Sequence, residues 1–135
     1  LDMDAEKMTT VYDLDSISNL QGKKTGALIE WSAQVGPVMA KKDNNSLRQY
    51  ARLLGLAFQV QDDILDVEGG VGKVGKKLRK DKVSGKATFV TLLGLEGAKE
   101  QAKQLIDQAI NELEALPVSS DNLKAAAQFV ISREL

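Results

Sequence analysis

An all-α fold is what this sequence predicts, and three observations carry it. The 135 residues include only two prolines. Aromatic residues make up 4% of the chain, so the aromatic-rich runs typical of strands are scarce. Long stretches rich in Ala, Leu, Lys, Glu and Gln place their apolar residues at three- and four-residue steps, the period of a helix with one buried face. The length suits one unit, residues 1–135.

Composition also excludes some roles. Eighteen basic and 19 acidic residues leave a net charge of −1, which argues against a general nucleic-acid binder or a polybasic membrane binder. No apolar run approaches the roughly 18–20 residues of a membrane span. The opening Leu1-Asp2-Met3-Asp4 lacks the pattern of a secretory signal. The absence of cysteine fits a reducing compartment, and a cytoplasmic protein is the expectation.

Residues 1–12 read as a helix entered partway, carrying Asp2 and Asp4. Asp13 to Gln21 is a short helix, with Asp15 or Ser16 able to cap it and Gly22 as a break. Lys24 to Met39 is a helix with Ala27, Leu28, Trp31, Val35 and Val38 on one side, bent or ended by Gly36-Pro37. Lys23, Lys24 and Thr25 would stand beside free backbone N–H groups at its start, an anion site in principle. Solvated surface lysines are the commoner outcome of such a pattern. Asp43 to Ser46 is a loop ending in a cap, and Leu47 to Val67 is the long central helix.

The central helix is the most informative element. At about 100° per residue, Gln59, Asp62, Asp63 and Asp66 fall within roughly a 100° arc, with Gly55 on the same stripe. Apolar residues cover almost all the remaining circumference. Such a helix is largely buried, and buried carboxylates are costly unless paired, protonated or bound to a cation. With no His and no Cys in the chain, zinc, haem and Glu/His di-iron sites have no ligands. Oxygen ligation favours a hard ion: Mg2+, or else Mn2+ or Ca2+. An EF-hand is excluded by the apolar helical pattern and the missing turn glycine. The alternative is a solvated acidic helix face.

From Glu68 to Lys86 the chain holds seven bases (Lys73, Lys76, Lys77, Arg79, Lys80, Lys82 and Lys86) against Glu68 and Asp81. Gly69, Gly70, Gly72, Gly75 and Gly85 loosen the backbone. Acids followed by a basic loop suit a polyanion bridged by metal, although a solvated basic linker has the same composition. Gly70-x-Gly72-x-x-Gly75 spells a dinucleotide fingerprint but follows a helix and opens no βαβ unit. Lys77 stands where a phosphate-binding loop needs Ser or Thr. Thr88 to Gly94 is a short helix with Thr88 or Ser84 near its start, and Leu95 to Leu116 is an amphipathic helix ended by Pro117. Ser119 or Ser120 caps a last helix carrying Leu123, Ala126, Ala127, Val130 and Ile131. The closing Arg133 to Leu135 look like a natural C-terminus.

Phe58-Gln59-Val60-Gln61-Asp62-Asp63-Ile64-Leu65-Asp66 resembles the second aspartate-rich motif of the trans-polyprenyl (isoprenyl) diphosphate synthases, nearest the bacterial farnesyl diphosphate synthase type. The likeness extends to Leu1 to Glu6, Lys24 to Ile29, Gly85 to Phe89 and Leu92 to Glu96. The family's first aspartate-rich motif has no counterpart here. The resemblance therefore implies the C-terminal half of an all-α isoprenoid synthase bundle, normally a homodimer. It implies a prenyltransferase joining an allylic diphosphate, dimethylallyl or geranyl, to isopentenyl diphosphate with Mg2+. By the same resemblance Asp62, with Asp63 and Asp66, holds metal. Lys24, Lys76 and Lys86 hold diphosphate, Thr25 and Gln59 face the cationic centre, and Asp2 and Asp81 lie close by. A terpene cyclase and a non-catalytic helical subunit are the competing readings. Product chain length is not legible.

Overall fold

In the computed structural model, which describes residues 13–39, 45–69 and 88–134, all regular structure is helical. The first helix, α1 (Leu14–Gln21), is started by Asp13, whose Oδ1 accepts the Ser16 N–H at 2.8 Å. The expected caps, Asp15 and Ser16, instead lie inside the first turn. A cap must sit outside the helix with its side chain reaching the third residue within, and Asp13 has that spacing to Ser16. This bond to Ser16 holds the Asp13 carboxyl below its ordinary pKa.

Gly22 does not break the chain. Residues Gly22–Gly26 form a π turn that joins α1 to α2 (Ala27–Met39). Pro37 lies within α2 rather than ending it, because so close to the terminus it disturbs only the last turn. A π turn carries one residue more than an α turn, which rotates everything beyond it by about 100°. Without it, the buried Ile17 would lead at helical steps to Leu28, Trp31 and Val35. Instead Leu28 is 65% exposed and Trp31 64%. The face turned inward carries buried Gly26 and half-buried Ile29, so the expected apolar side of this helix is corrected by one residue of register.

The long α3 (Asn45–Glu68) crosses the π turn at Gly55. A Cβ built on Gly55 would lie 3.0 Å from the Gly26 Cα and 3.7 Å from the Ile29 Cδ1, so the absence of a side chain at Gly55 permits this approach. Glu30 clasps the same pair of helices from outside, meeting the Arg52 Nε at 3.1 Å and the Arg48 Nε at 3.6 Å.

Helix α4 (Phe89–Leu113) packs most extensively on α3. Thr88 caps it as expected: its hydroxyl accepts the Thr91 N–H, and the Thr91 hydroxyl accepts the Thr88 N–H. At Gly94 the backbone turns to φ 75°, dividing the helix at the point where two helices were expected. Of the expected stripe, Ala98, Ala102, Leu105, Ile106, Ala109 and Leu113 are buried, while Ile110 and Leu116 are half-buried, and the helix ends at Leu113 rather than at Leu116. Ser120 precedes α5 (Asp121–Ser132) but makes no side-chain cap bond, and it is itself buried. Tyr50 ties α3 to α5 through a 2.8 Å bond from its hydroxyl to the Leu123 carbonyl.

Ile17, Val60, Ile64, Phe89, Ile106 and Leu113 are the largest fully buried side chains among the described residues. Each such side chain contributes about 1.5–3 kcal/mol relative to exposure. Among the described residues no helix is long and apolar enough to cross a membrane.

Candidate active site

The stripe around Gln59 lies near the C-terminal end of α3, where α4 and the end of α5 meet it. Gln59 is buried. One turn earlier is Gly55, which lets the π turn settle against α3 at Gly26; Thr25, the residue before Gly26, is half-buried. The backbone of Lys24 belongs to the same turn. Because α1 and α2 are continuous through it, these residues do not stand at a free helix N-terminus, and the anion site expected there on that basis is withdrawn. Asp2, Asp4, Lys76, Asp81 and Lys86 lie outside the described residues.

The three aspartates have three different surroundings. Asp62 pairs through Oδ1 with the Nη2 of Arg133. Asp63 turns the other way, and its Oδ2 accepts the Phe89 N–H at 2.9 Å. That N–H is the first of α4, so the Asp63 charge faces the positive end of the helix dipole. Asp66 is exposed. No group of three or more metal-ligating side chains forms among those residues, so the compact three-carboxylate cluster expected from spacing is not what the fold assembles. The reason is angular. Consecutive residues diverge by about 100° on a helix, while positions four apart project together.

Asp62 and Asp66 therefore remain the pair able to share a cation. Two carboxylates fit Mg2+, which takes few protein ligands and completes its octahedron with water and phosphate oxygens. They fit zinc poorly, since no nitrogen or sulfur donor of the usual kind exists in the chain.

Arg133 is the residue that sequence reasoning missed. Its guanidinium lies 4.2 Å above the Phe58 ring, and its Nε is buried without a hydrogen-bond partner. The available signal was slight: it is the last cation of the chain, just past the apolar stripe of α5. Nearby, Lys99 of α4 reaches Glu68 at the end of α3, which raises the Lys99 pKa, chiefly through their hydrogen bond. A separate open cleft of about 300 Å³ lies between the π turn and α3, lined by Lys23, Glu30 and Arg52 among others. None of the acidic stripe lines it.

The family model described as polyprenyl synthetase matches residues 1–128. Farnesyl diphosphate synthase of Haemophilus influenzae is 40% identical over 126 residues, covering 90% of this chain and 42% of that protein. The Escherichia coli farnesyl diphosphate synthase is 39% identical over 140 residues, covering 98% of this chain and 46% of that protein. Among solved structures, an apo FPP/GFPP synthase from Zymomonas mobilis superposes with a TM-score of 0.79 at 39% identity, covering 96% of this chain and 42% of that one. The chain thus spans less than half the length of the relatives it matches.

Proposed function

The chain belongs to the polyprenyl synthetase family and has its all-α isoprenoid synthase fold, and on that premise we propose that it supplies the second aspartate-rich half-site of a trans-prenyltransferase. The observation that carries this is the position of Asp62 and Asp66 one turn apart near the C-terminal end of α3, just after the buried stretch Gln59 to Gln61. Buried Gln59 lies one turn earlier on the same helix, and Gly55, a turn before that, meets Gly26 of the π turn that carries Thr25. Relatives named for farnesyl diphosphate synthesis and for dimethylallyl transfer support the same reading.

The substrates proposed are an allylic diphosphate, dimethylallyl or geranyl, and isopentenyl diphosphate. Mg2+, with Mn2+ as a substitute, would supply charge neutralisation for the leaving diphosphate. Asp62 and Asp66 are the residues that would hold it. Lys24, Lys76 and Lys86 take the remaining phosphate oxygens as charge-assisted donors. The allylic C–O bond breaks, the isopentenyl double bond attacks the resulting carbocation, and a proton is lost to leave a new double bond. Gln59 and Thr25 offer oxygen dipoles to the positive charge, while apolar walls keep out water that would quench it. Asp63 is assigned to holding α4 rather than to the cation. The first aspartate-rich motif would come from an N-terminal half, in a homodimeric enzyme.

The test is reconstitution with an N-terminal half from a relative, followed by product analysis with geranyl diphosphate, isopentenyl diphosphate and Mg2+. A lengthened prenyl diphosphate that disappears in Asp62→Ala is expected. Hydrocarbon product formed without isopentenyl diphosphate would replace this reading with a cyclase.

A further inference from the structure

Arg133 has no part in the chemistry just proposed, yet its surroundings are specific. Its Nη2 donates to the Asp62 Oδ1, its guanidinium carbon lies over Phe58 at 4.2 Å, and its side chain is only 20% exposed. The Nε is buried and donates to nothing. A guanidinium offers five donors in a rigid fork, and a buried donor left unpaired is unfavourable. Arg133 also stands just outside α5, with extended backbone (φ −65°, ψ 143°) and its own N–H held by the Phe129 carbonyl at 2.9 Å. The side chain can therefore swing away without unwinding the helix behind it.

We propose that Arg133 is a positioning residue that stands in for the cation, pairing with Asp62 while the metal is absent and yielding Asp62 when metal and diphosphate bind. This rests on the reading of Asp62 as a metal ligand. Without Arg133, the half-buried Asp62 carboxylate would lose this cationic partner. A divalent cation needs the lone pairs of Oδ1 that Arg133 occupies, and the two positive charges repel at that distance. Metal alone must displace the guanidinium with nothing to receive it. Diphosphate changes that, because its oxygens are bidentate acceptors for a guanidinium fork, the unpaired Nε included. Arg133 thus makes binding of metal and diphosphate depend on each other.

The experiment uses this chain with Mn2+ followed by electron paramagnetic resonance, with and without inorganic pyrophosphate. Arg133→Gln is expected to bind Mn2+ alone about two- to fivefold more tightly, the factor a partly exposed ion pair corresponds to. Pyrophosphate should then strengthen Mn2+ binding less in this variant than in the parent. In the parent, the Arg133 Nε–H resonance should shift in step with Mg2+ and pyrophosphate occupancy, a readout that needs no substitution at Arg133. Unchanged Mn2+ affinity and unchanged pyrophosphate dependence in a folded Arg133→Gln chain overturn the exchange. So does an Arg133 resonance that ignores the ligands. Asp62→Asn separates the two levels. If it abolishes binding while Arg133→Gln changes nothing, Asp62 stands and the exchange falls. If it leaves binding intact, the assignment of Asp62 falls and the exchange with it.

Discussion

Replacing Asp63 by alanine should weaken the fold and spare cation binding, the reverse of what an aspartate within this motif would ordinarily suggest. Asp63 Oδ2 accepts the Phe89 N–H at 2.9 Å, at the first turn of α4. Thr88 and Thr91 satisfy each other's N–H groups in the same turn but leave that of Phe89 to Asp63. Losing a cap acceptor costs about 0.5–2 kcal/mol. Losing a negative charge near a helix N-terminus costs about 0.3–1 kcal/mol. Because the bond is partly buried, the two effects overlap, and a total of about 1–2 kcal/mol is expected. For a chain of this size that lowers the unfolding midpoint by about 4–7 °C. Asp63→Asn keeps an acceptor, loses the charge, and should fall near half of that. Asp66→Ala is the counterpart: an exposed residue whose loss should move stability by less than about 0.5 kcal/mol but weaken Mn2+–pyrophosphate binding several-fold. Thermal unfolding by circular dichroism and metal titration, run on both variants, give the comparison. An Asp63→Ala chain that melts like the parent yet no longer binds Mn2+ would refute the assignment.

Tyr50→Phe removes the hydroxyl's bond to the Leu123 carbonyl, which keeps its place in the α5 ladder, and urea unfolding should show a loss of about 1 kcal/mol. Gly55→Val forces side-chain atoms against the backbone of Gly26; overpacking of about 1–3 kcal/mol is expected, together with weaker pyrophosphate binding as the turn that carries Lys24 and Thr25 is displaced. Asp13 has a lowered folded pKa, so its contribution to α1 is present above the unfolded value and fades as pH falls through the folded one. The midpoint gap between the parent and Asp13→Ala should accordingly narrow under strongly acidic conditions, and a constant gap would contradict the cap. Trp31 is 64% exposed and is the only tryptophan, so its fluorescence should resemble solvated indole in this chain and shift to the blue on addition of an N-terminal half. The chain alone should make no prenyl diphosphate.

Elements with one uninterrupted apolar stripe were legible before any coordinates. The buried faces of α3 and α4 follow from spacing, and Gly94 divides α4 where its sequence suggested. That of α5 does so except at Ala126, which is exposed because α5 buries only the narrow row of Ala127 and Val130. The failure at α2 has a single cause: periodicity assumes a constant number of residues per turn, and the π turn violates it. The divergence of Asp63 from Asp62 was present in the helical wheel as an angle. What gave it meaning was α4 beginning opposite that angle, a tertiary fact no local window contains. Arg133 meets Asp62 across a sequence separation of 71, beyond the reach of any periodic pattern.

The five residues from Gly22 to Gly26 give the first helical rod two working surfaces. A regular helix spends its apolar row on one neighbour along its whole length. Here Ile17 serves the core before the turn, Gly26 and Ile29 serve α3 after it, and Leu28, Trp31 and Val35 remain as a second row facing outward. What selects between the rows is the count of residues in the turn rather than their identity. Point substitutions at Leu28, Trp31 or Val35 can change how apolar the outer row is, but not which row faces α3. Removing a single residue from the turn would exchange them, sending Trp31 inward against a glycine contact with no room for it. The position of Thr25 in the proposed site is therefore encoded as a length, and a family alignment that treats a one-residue gap here as harmless would misread it.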